Sequence, residues 1–369
     1  MFFFGLILIV SCLAMWEFYG LTFLDEDRKQ RSLVGLSCGA ILLLSLQSSD
    51  WLNFETAIMI ILVVLIGYQV TVVDNLLYSQ HALFHLCSHR GFDFHHGDAR
   101  DGEQMNPLVA DADVLIPLAA IVGAPACDRD PALATSVNLE AVQMMNRLRS
   151  KQQLMIYPTT NSGYGAKSGD VYCTEDTPLE PISFYGKMKA QAETELLECK
   201  NVITLRLATV FGMSPRMRLD LLVNHFVYAA VSDGYLVLFE KDFKRNYIHI
   251  RDVADCFMHC IENADAMAGH CYNVGLDAAN LSKEELALKI KEYVPEFYLH
   301  AAPVGEDPDK RNYIVSNQRL REVGFEAHRT LDQGIQELIK GYRMLTRTCL
   351  LYTSPSPRDA TLSRMAAWG

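Results

Sequence analysis

A chain of 369 residues, half of them apolar and 21% charged, can bury one large core, or a core with a smaller lobe beside it. Its formal net charge of −11 leaves no basic stripe to neutralise phosphates, which argues against a nucleic-acid partner and points to small-molecule chemistry. The ten cysteines carry no paired metal-ligand spacing and no disulfide framework, so no metal site is expected and a reducing cytosol fits best.

Residues 2–24, "FFFGLILIVSCLAMWEFYGLTFL", carry one charge in a run long enough to cross a bilayer. "SLVGLSCGAILLLSLQ" and "AIMIILVVLIGYQVTVV" are two further candidate spans. Arg28, Lys29 and Arg31 lie in the first loop, and three spans would leave everything after Val73 on the cytoplasmic side. The third span conflicts with the reading of Val70 to Val73 as a strand, because residues facing lipid cannot also present Asp74 to a ligand. Residues 1–66 are therefore read as an apolar, membrane-like segment foreign to the rest of the chain, and a membrane is a partner only where that segment is genuine. The catalytic part is expected in the cytoplasm.

From Gly67 short apolar runs alternate with helical segments, which predicts an α/β fold with a parallel sheet wrapped by helices. "YQVTVVD" reads as a buried strand, "FDFHHGDARD" as a short strand ending in a turn, and "ADVLIPLAA", "LMIYPTTNSGYG" and "NVITLRLATVFG" as three more strands. Between them lie the helices of "TSVNLEAVQMMNRLRS" and "SFYGKMKAQAETELLE". Ligands of an open parallel sheet bind beyond the carboxyl ends of its strands. Asp74 and Asn75 end the first run, Asp98 and Ala99 the second, Leu118, Ala119 and Ala120 the third, and Thr160 the fourth. An aspartate after a strand is also a common turn residue or helix cap. Cys256, His259 and Cys260 sit at helical spacing in "DVADCFMHCIENA" and read as a buried helix face.

Tyr185 and Lys189 are four apart on a predicted helix and share a face. A phenol has a reference pKa of about 10, and a neighbouring ammonium lowers it. With the hydroxyl of Thr160, the pair is a device for moving a proton on or off a sugar hydroxyl while a hydride moves to or from a nicotinamide.

The landmarks "VTVVDN", "GDARD", "PLAA", "TTNSGYG", "YGKMK", "LRLATVFG", "KRNYIHIRDVAD", "YNVG" and "DKRNYIVSN" stand in family order. From about Gly67 to Leu345 the chain resembles an extended short-chain dehydrogenase/reductase of the NAD-dependent epimerase/dehydratase family. The resemblance implies a Rossmann-like doubly wound sheet at 67–212, with 247–276 returning to it, and a smaller, mainly substrate-binding lobe at 213–345. It implies NAD as cofactor, a nucleotide-diphosphate sugar as substrate, and a homodimer. Carried over by position, it makes Tyr185 the general base, Lys189 its pKa partner and nicotinamide-ribose ligand, and Thr160 the polarising hydroxyl. Asp74, Asn75, Asp98, Ala99, Leu118, Ala119 and Ala120 fall to the cofactor. Asn161, Ser162, Thr209, Arg245 and Arg311 fall to the substrate, and Asn138 takes a structural role.

Dehydratases of the family carry acids after the catalytic threonine. Asn161 and Ser162 cannot shuttle protons at neutral pH, so dehydration is disfavoured. The expectation is an epimerase acting at a ring hydroxyl, C4 first. The alternatives are a 4-keto reductase or decarboxylase on the same fold, or a catalytically silent, membrane-tethered binding protein. The family's glycine loop should fall within Leu44 to Thr56, which contains no glycine, so the usual first strand and loop are expected to be missing and NAD binding impaired. Residues 346–369, containing "CLLYTSPSPRDATLSRM", read as an adapter-like, non-native or disordered tail.

Overall fold

The computed structural model describes residues 68–77, 83–167, 172–215, 217–302 and 311–344. The readings made for residues 1–67, including the candidate spans and the expected position of the glycine loop, and for the tail from 345 lie outside these. Among the described residues no helix is long and apolar enough to cross a membrane. Two compact units are present, Met1–Val72 with Leu83–His95, and Val73–Ala82 with His96–Gly369.

Strands β1 (Val70–Asp74) and β2 (Phe92–His96) pair with one another, so Val70 to Val73 belong to a strand and not to a membrane span. β1 corrects one expectation. Its residues are exposed or half-covered, Val70 at 51%, where a buried strand is predicted. The reason is that this ribbon gains no third strand among the described residues.

After α1 (Gly102–Asp111) come β3 (Val114–Leu115), α2 (Ala124–Arg129), α3 (Pro131–Thr135) and α4 (Ala141–Leu148). β3 is only two residues long, because the rest of "ADVLIPLAA" runs on as irregular chain through Pro117, which has no N–H for a ladder. Between α3 and α4 the helix widens into one π turn, Ser136–Glu140, with Asn138 inside it. Next come β4 (Leu154–Thr160), β5 (Tyr172–Cys173), α5 (Phe184–Leu197), β6 (Val202–Leu207) and β7 (Thr209–Phe211). Then come α6 (Leu222–Tyr228), β8 (Tyr235–Leu238), β9 (Lys244–His249), α7 (Ile250–Glu262), α8 (Ala264–Met267) and β10 (His270–Val274). The described chain ends through β11 (Asn280–Ser282), α9 (Lys283–Tyr293), β12 (Tyr298–Ala301), β13 (Ile314–Val315), α10 (Gln318–Glu322) and α11 (Leu331–Met344).

The central sheet is parallel, in the order β10-β6-β4-β3. β4 and β6 are almost wholly buried and run in long apolar stretches, as strands covered on both faces do. Register is fixed by pairs such as Tyr157 with Thr204 and Thr160 with Leu207, which set the carboxyl ends of β4 and β6 side by side. One face packs Val109, Val142, Met145, Tyr157, Ala192 and Leu196; the other packs Ile203, Leu205, Val253, Cys256, Cys260 and Tyr272. The cysteines of the helical reading are thus core residues of α7. A further cluster gathers α6, β8, β9, α9 and α11 around Phe226, Tyr247, Ile290 and Ile335.

Candidate active site

Thr160 ends β4 and caps the tight turn Asn161–Tyr164, its hydroxyl accepting from the Ser162 N–H at 3.1 Å. Gly165 closes the turn at φ +73°, where a Cβ would meet the Glu180 carbonyl, so only glycine fits. The turn sets the Thr160 and Ser162 hydroxyls 2.9 Å apart, and the Arg311 guanidinium donates to Ser162 Oγ at 2.6 Å. Arg311 reaches this point because Asn312 is stitched to β9: its Oδ1 accepts from the Lys244 N–H at 2.9 Å, and the Lys244 carbonyl accepts from the Tyr313 N–H at 3.1 Å. Arg245, buried on β9, and Arg311 both act electrostatically on the buried Tyr247. The predicted substrate residues Ser162 and Arg311 are brought together with Thr160, and Arg245 is set on the strand to which Arg311 is tied. Thr209 opens β7 with its hydroxyl buried and without a hydrogen-bond partner among the described residues. Asn161 is wholly buried, and neither atom of its amide has a partner among them.

α5 begins at Ser183, whose hydroxyl accepts from the Gly186 N–H at 3.1 Å. Tyr185 lies in its first turn, half-buried, with no hydrogen-bond partner among the described residues. Burial pushes its phenol up to about 12, against the opposing pull of the Arg218 and Arg311 charges. Lys189, one turn on, is buried, and burial draws its ammonium down to about 7. The ammonium donates to the Pro158 carbonyl at 3.1 Å and lies 4.4 Å from the centre of the Tyr157 ring. The helix then continues to Glu193, which forms a buried ion pair with Arg206 of β6 at 2.6 Å and accepts from Thr159 at 2.9 Å. Asn138 exchanges two bonds with the backbone of Ile121, 2.8 and 2.9 Å long, and so pins the chain just beyond Leu118, Ala119 and Ala120.

At the ends of β1 and β2, Asp74 Oδ1 accepts from the Leu76 N–H at 2.6 Å, and its other oxygen has no partner among the described residues. The Gly97 N–H donates to the Asp74 carbonyl at 3.2 Å, which brings Asp98 and Ala99 next to Asp74 and Asn75. A guanidinium, that of Arg100, grips the Asp98 carboxylate at 2.6 Å and, with help from Asn75, holds it down to about 2.

These residues fit a dinucleotide. A strand-end carboxylate with an open oxygen suits ribose hydroxyls, and the exposed Leu118–Ala119 stretch lets a flat ring approach the backbone. Pattern reading did not single out Tyr157, Arg218 or the Glu193–Arg206 pair. The spacing of Tyr185, Lys189 and Glu193 along one helix face carried a signal for Glu193, whereas the loop holding Arg218 carried none.

The parallel sheet, its flanking helices and a strand-end cluster of this kind define a Rossmann-type α/β protein. The chain belongs to the NAD dependent epimerase/dehydratase family, whose model matches residues 63–275. The family's enzymes use NAD and act on nucleotide sugars. A glycan biosynthesis protein, Agl12 of Haloferax volcanii, is 26% identical, covering 74% of this chain and 90% of that protein. UDP-arabinose 4-epimerase 1 of Arabidopsis thaliana is 27% identical, covering 69% of this chain and 72% of its own. Among solved structures, a UDP-glucose 4-epimerase of Thermotoga maritima with UDP-glucose has the same fold, at a TM-score of 0.66 and 22% identity over 78% of this chain and 96% of that one.

Proposed function

We propose that this chain is an NAD-dependent epimerase of a nucleotide-diphosphate sugar, inverting a ring carbon, C4, by transient oxidation. The observation that carries the reading is the turn after β4. Its Thr160 and Ser162 hydroxyls touch each other and Arg311, and the intervening residue is a neutral amide where elimination of water would need a carboxyl group. The 4-epimerase among the relatives supports it.

In this reading Tyr185 takes the proton of the sugar hydroxyl and later returns it, so no net acid or base is consumed. Thr160 and Ser162 hold the reacting oxygen, and the Lys189 ammonium favours the phenolate and binds the nicotinamide ribose. NAD, when bound, accepts the hydride from the ring carbon and returns it to the opposite face. Asp74 and Asn75 hold the adenosine ribose, Asp98 and Ala99 border the adenine, and Leu118 to Ala120 flank the dinucleotide. Arg245 and Arg311 clamp the diphosphate, for which a planar fork of donors suits two phosphates. Thr209 and Asn161, whose buried polar atoms lack partners among the described residues, meet sugar hydroxyls.

We also assign 213–345 mainly to the substrate lobe and α4 with α5 to a homodimer contact. Turnover of UDP-hexoses and UDP-pentoses, read by sugar analysis of the product, tests the proposal. Tyr185→Phe is expected to lower kcat by about 10²- to 10⁴-fold, and undiminished turnover by that variant would sink the tyrosine mechanism.

A further inference from the structure

We propose that Tyr157 is a positioning residue for Lys189, its ring face carrying the ammonium charge in a desolvated pocket and holding it one helical turn from Tyr185. The inference rests on the reading of Tyr185 and Lys189 as the proton-handling pair.

Lys189 is only 4% exposed. An ammonium has three N–H donors, and here one bond is made, to the Pro158 carbonyl. A buried charge compensated so thinly would give up its proton. The charged and titratable groups around it come from three elements. α2 supplies the Cys127 thiol, whose charge favours the ammonium. α5 supplies Tyr185 and Glu193, but Glu193 is committed to Arg206 of β6 and to Thr159. β4 supplies Tyr157. Among the described residues no carboxylate pairs with Lys189, so the remaining compensation is the negative face of the Tyr157 ring at 4.4 Å.

That ring is fixed at both ends. Its backbone lies in the middle of β4, paired with Thr204, and the residue is fully buried. Its hydroxyl donates to the Asn138 carbonyl at 3.4 Å, inside the π turn, and Asn138 is itself held by its two bonds to Ile121. A side chain so anchored cannot turn its face away from Lys189. The ring is not a catalytic group, since it acts only through the lysine.

The test is a pH titration of the Lys189 ¹³Cε resonance in the full chain labelled with ¹³C-lysine, the peak being assigned by its loss in Lys189→Arg. Tyr157→Phe keeps the ring face and should titrate with the parent chain. Tyr157→Leu and Tyr157→Met remove it and should titrate about one pH unit lower, the tenfold change in protonation expected for a desolvated cation–ring contact. If the leucine variant does not fold, the methionine variant, closer in volume, decides. Leucine and methionine variants that titrate with the parent overturn the proposal, as does a phenylalanine variant that falls as far as they do. Turnover separates this outcome from the functional reading. A shifted titration in a chain that epimerises no nucleotide sugar keeps the positioning role and sinks the epimerase. Loss of turnover in Tyr185→Phe with no shift in the Tyr157 variants does the reverse.

Discussion

Asn161 is the residue whose situation is least explained by folding. Its amide is buried with no partner for either atom among the described residues, a state that costs about 1–3 kcal/mol for an unmet group. Asn161→Ala should therefore leave the melting temperature of the ligand-free chain unchanged or raised, while increasing KM for the sugar nucleotide about tenfold. A lowered melting temperature with unchanged KM would count against a sugar contact. Lys189→Met bears on pH. Without the ammonium the Tyr185 phenol, already pushed up to about 12 by burial, loses its proton only in alkali. The residual kcat/KM of that variant should keep rising with pH beyond the point where the parent levels off. Thr160, Tyr185 and Lys189 were legible because strand end and helical spacing are local properties of sequence. Tyr157 was not, because an aromatic residue within an apolar strand reads as core until the lysine above it is seen.

α5 joins stability to the site. Tyr185, Lys189 and Glu193 succeed one another along the helix, and Glu193 is the foot that fixes it to β6 through Arg206. Removing one partner of a buried pair leaves the other charge uncompensated, so Glu193→Gln should cost about 3–5 kcal/mol in urea unfolding. A cost below about 1 kcal/mol would mean that Arg206 finds enough in its bonds to Tyr164 and the Glu175 carbonyl. At this scale the pattern of apolar runs gave the strands of the central sheet and the two helices beside them. It overestimated β3, where Pro117 interrupts the ladder, and the cover of β1, because burial depends on neighbours that a one-dimensional pattern does not name.

Across the whole molecule, the substrate lobe and the sheet domain interleave more than the linear division suggests. Tyr247, on a strand assigned to the return of the sheet domain, packs among α6, α9 and α11, while Leu320 and Phe325 pack against the sheet. Sequence order does not announce such exchanges, because they depend on where a long connection comes back. The stretch from Leu44 to Thr56 holds no glycine, so a backbone cradle for pyrophosphate is not expected there. Titration of the full chain with NAD in a calorimeter should show weak or no binding, and tight binding would refute that expectation.

The π turn at Ser136–Glu140 has a consequence for changes of chain length. Such a turn accommodates one residue more than a regular helix of the same rise. Deleting a single residue there would restore an ordinary helix while swinging α4 by about 100° around the helix axis. Asn138 would leave Ile121, and the carbonyl that receives the Tyr157 hydroxyl would move with it. The segment should thus tolerate exchange of side chains far better than loss of a codon, and a deletion scan along 131–148 would show its sharpest dip in folded yield at this point.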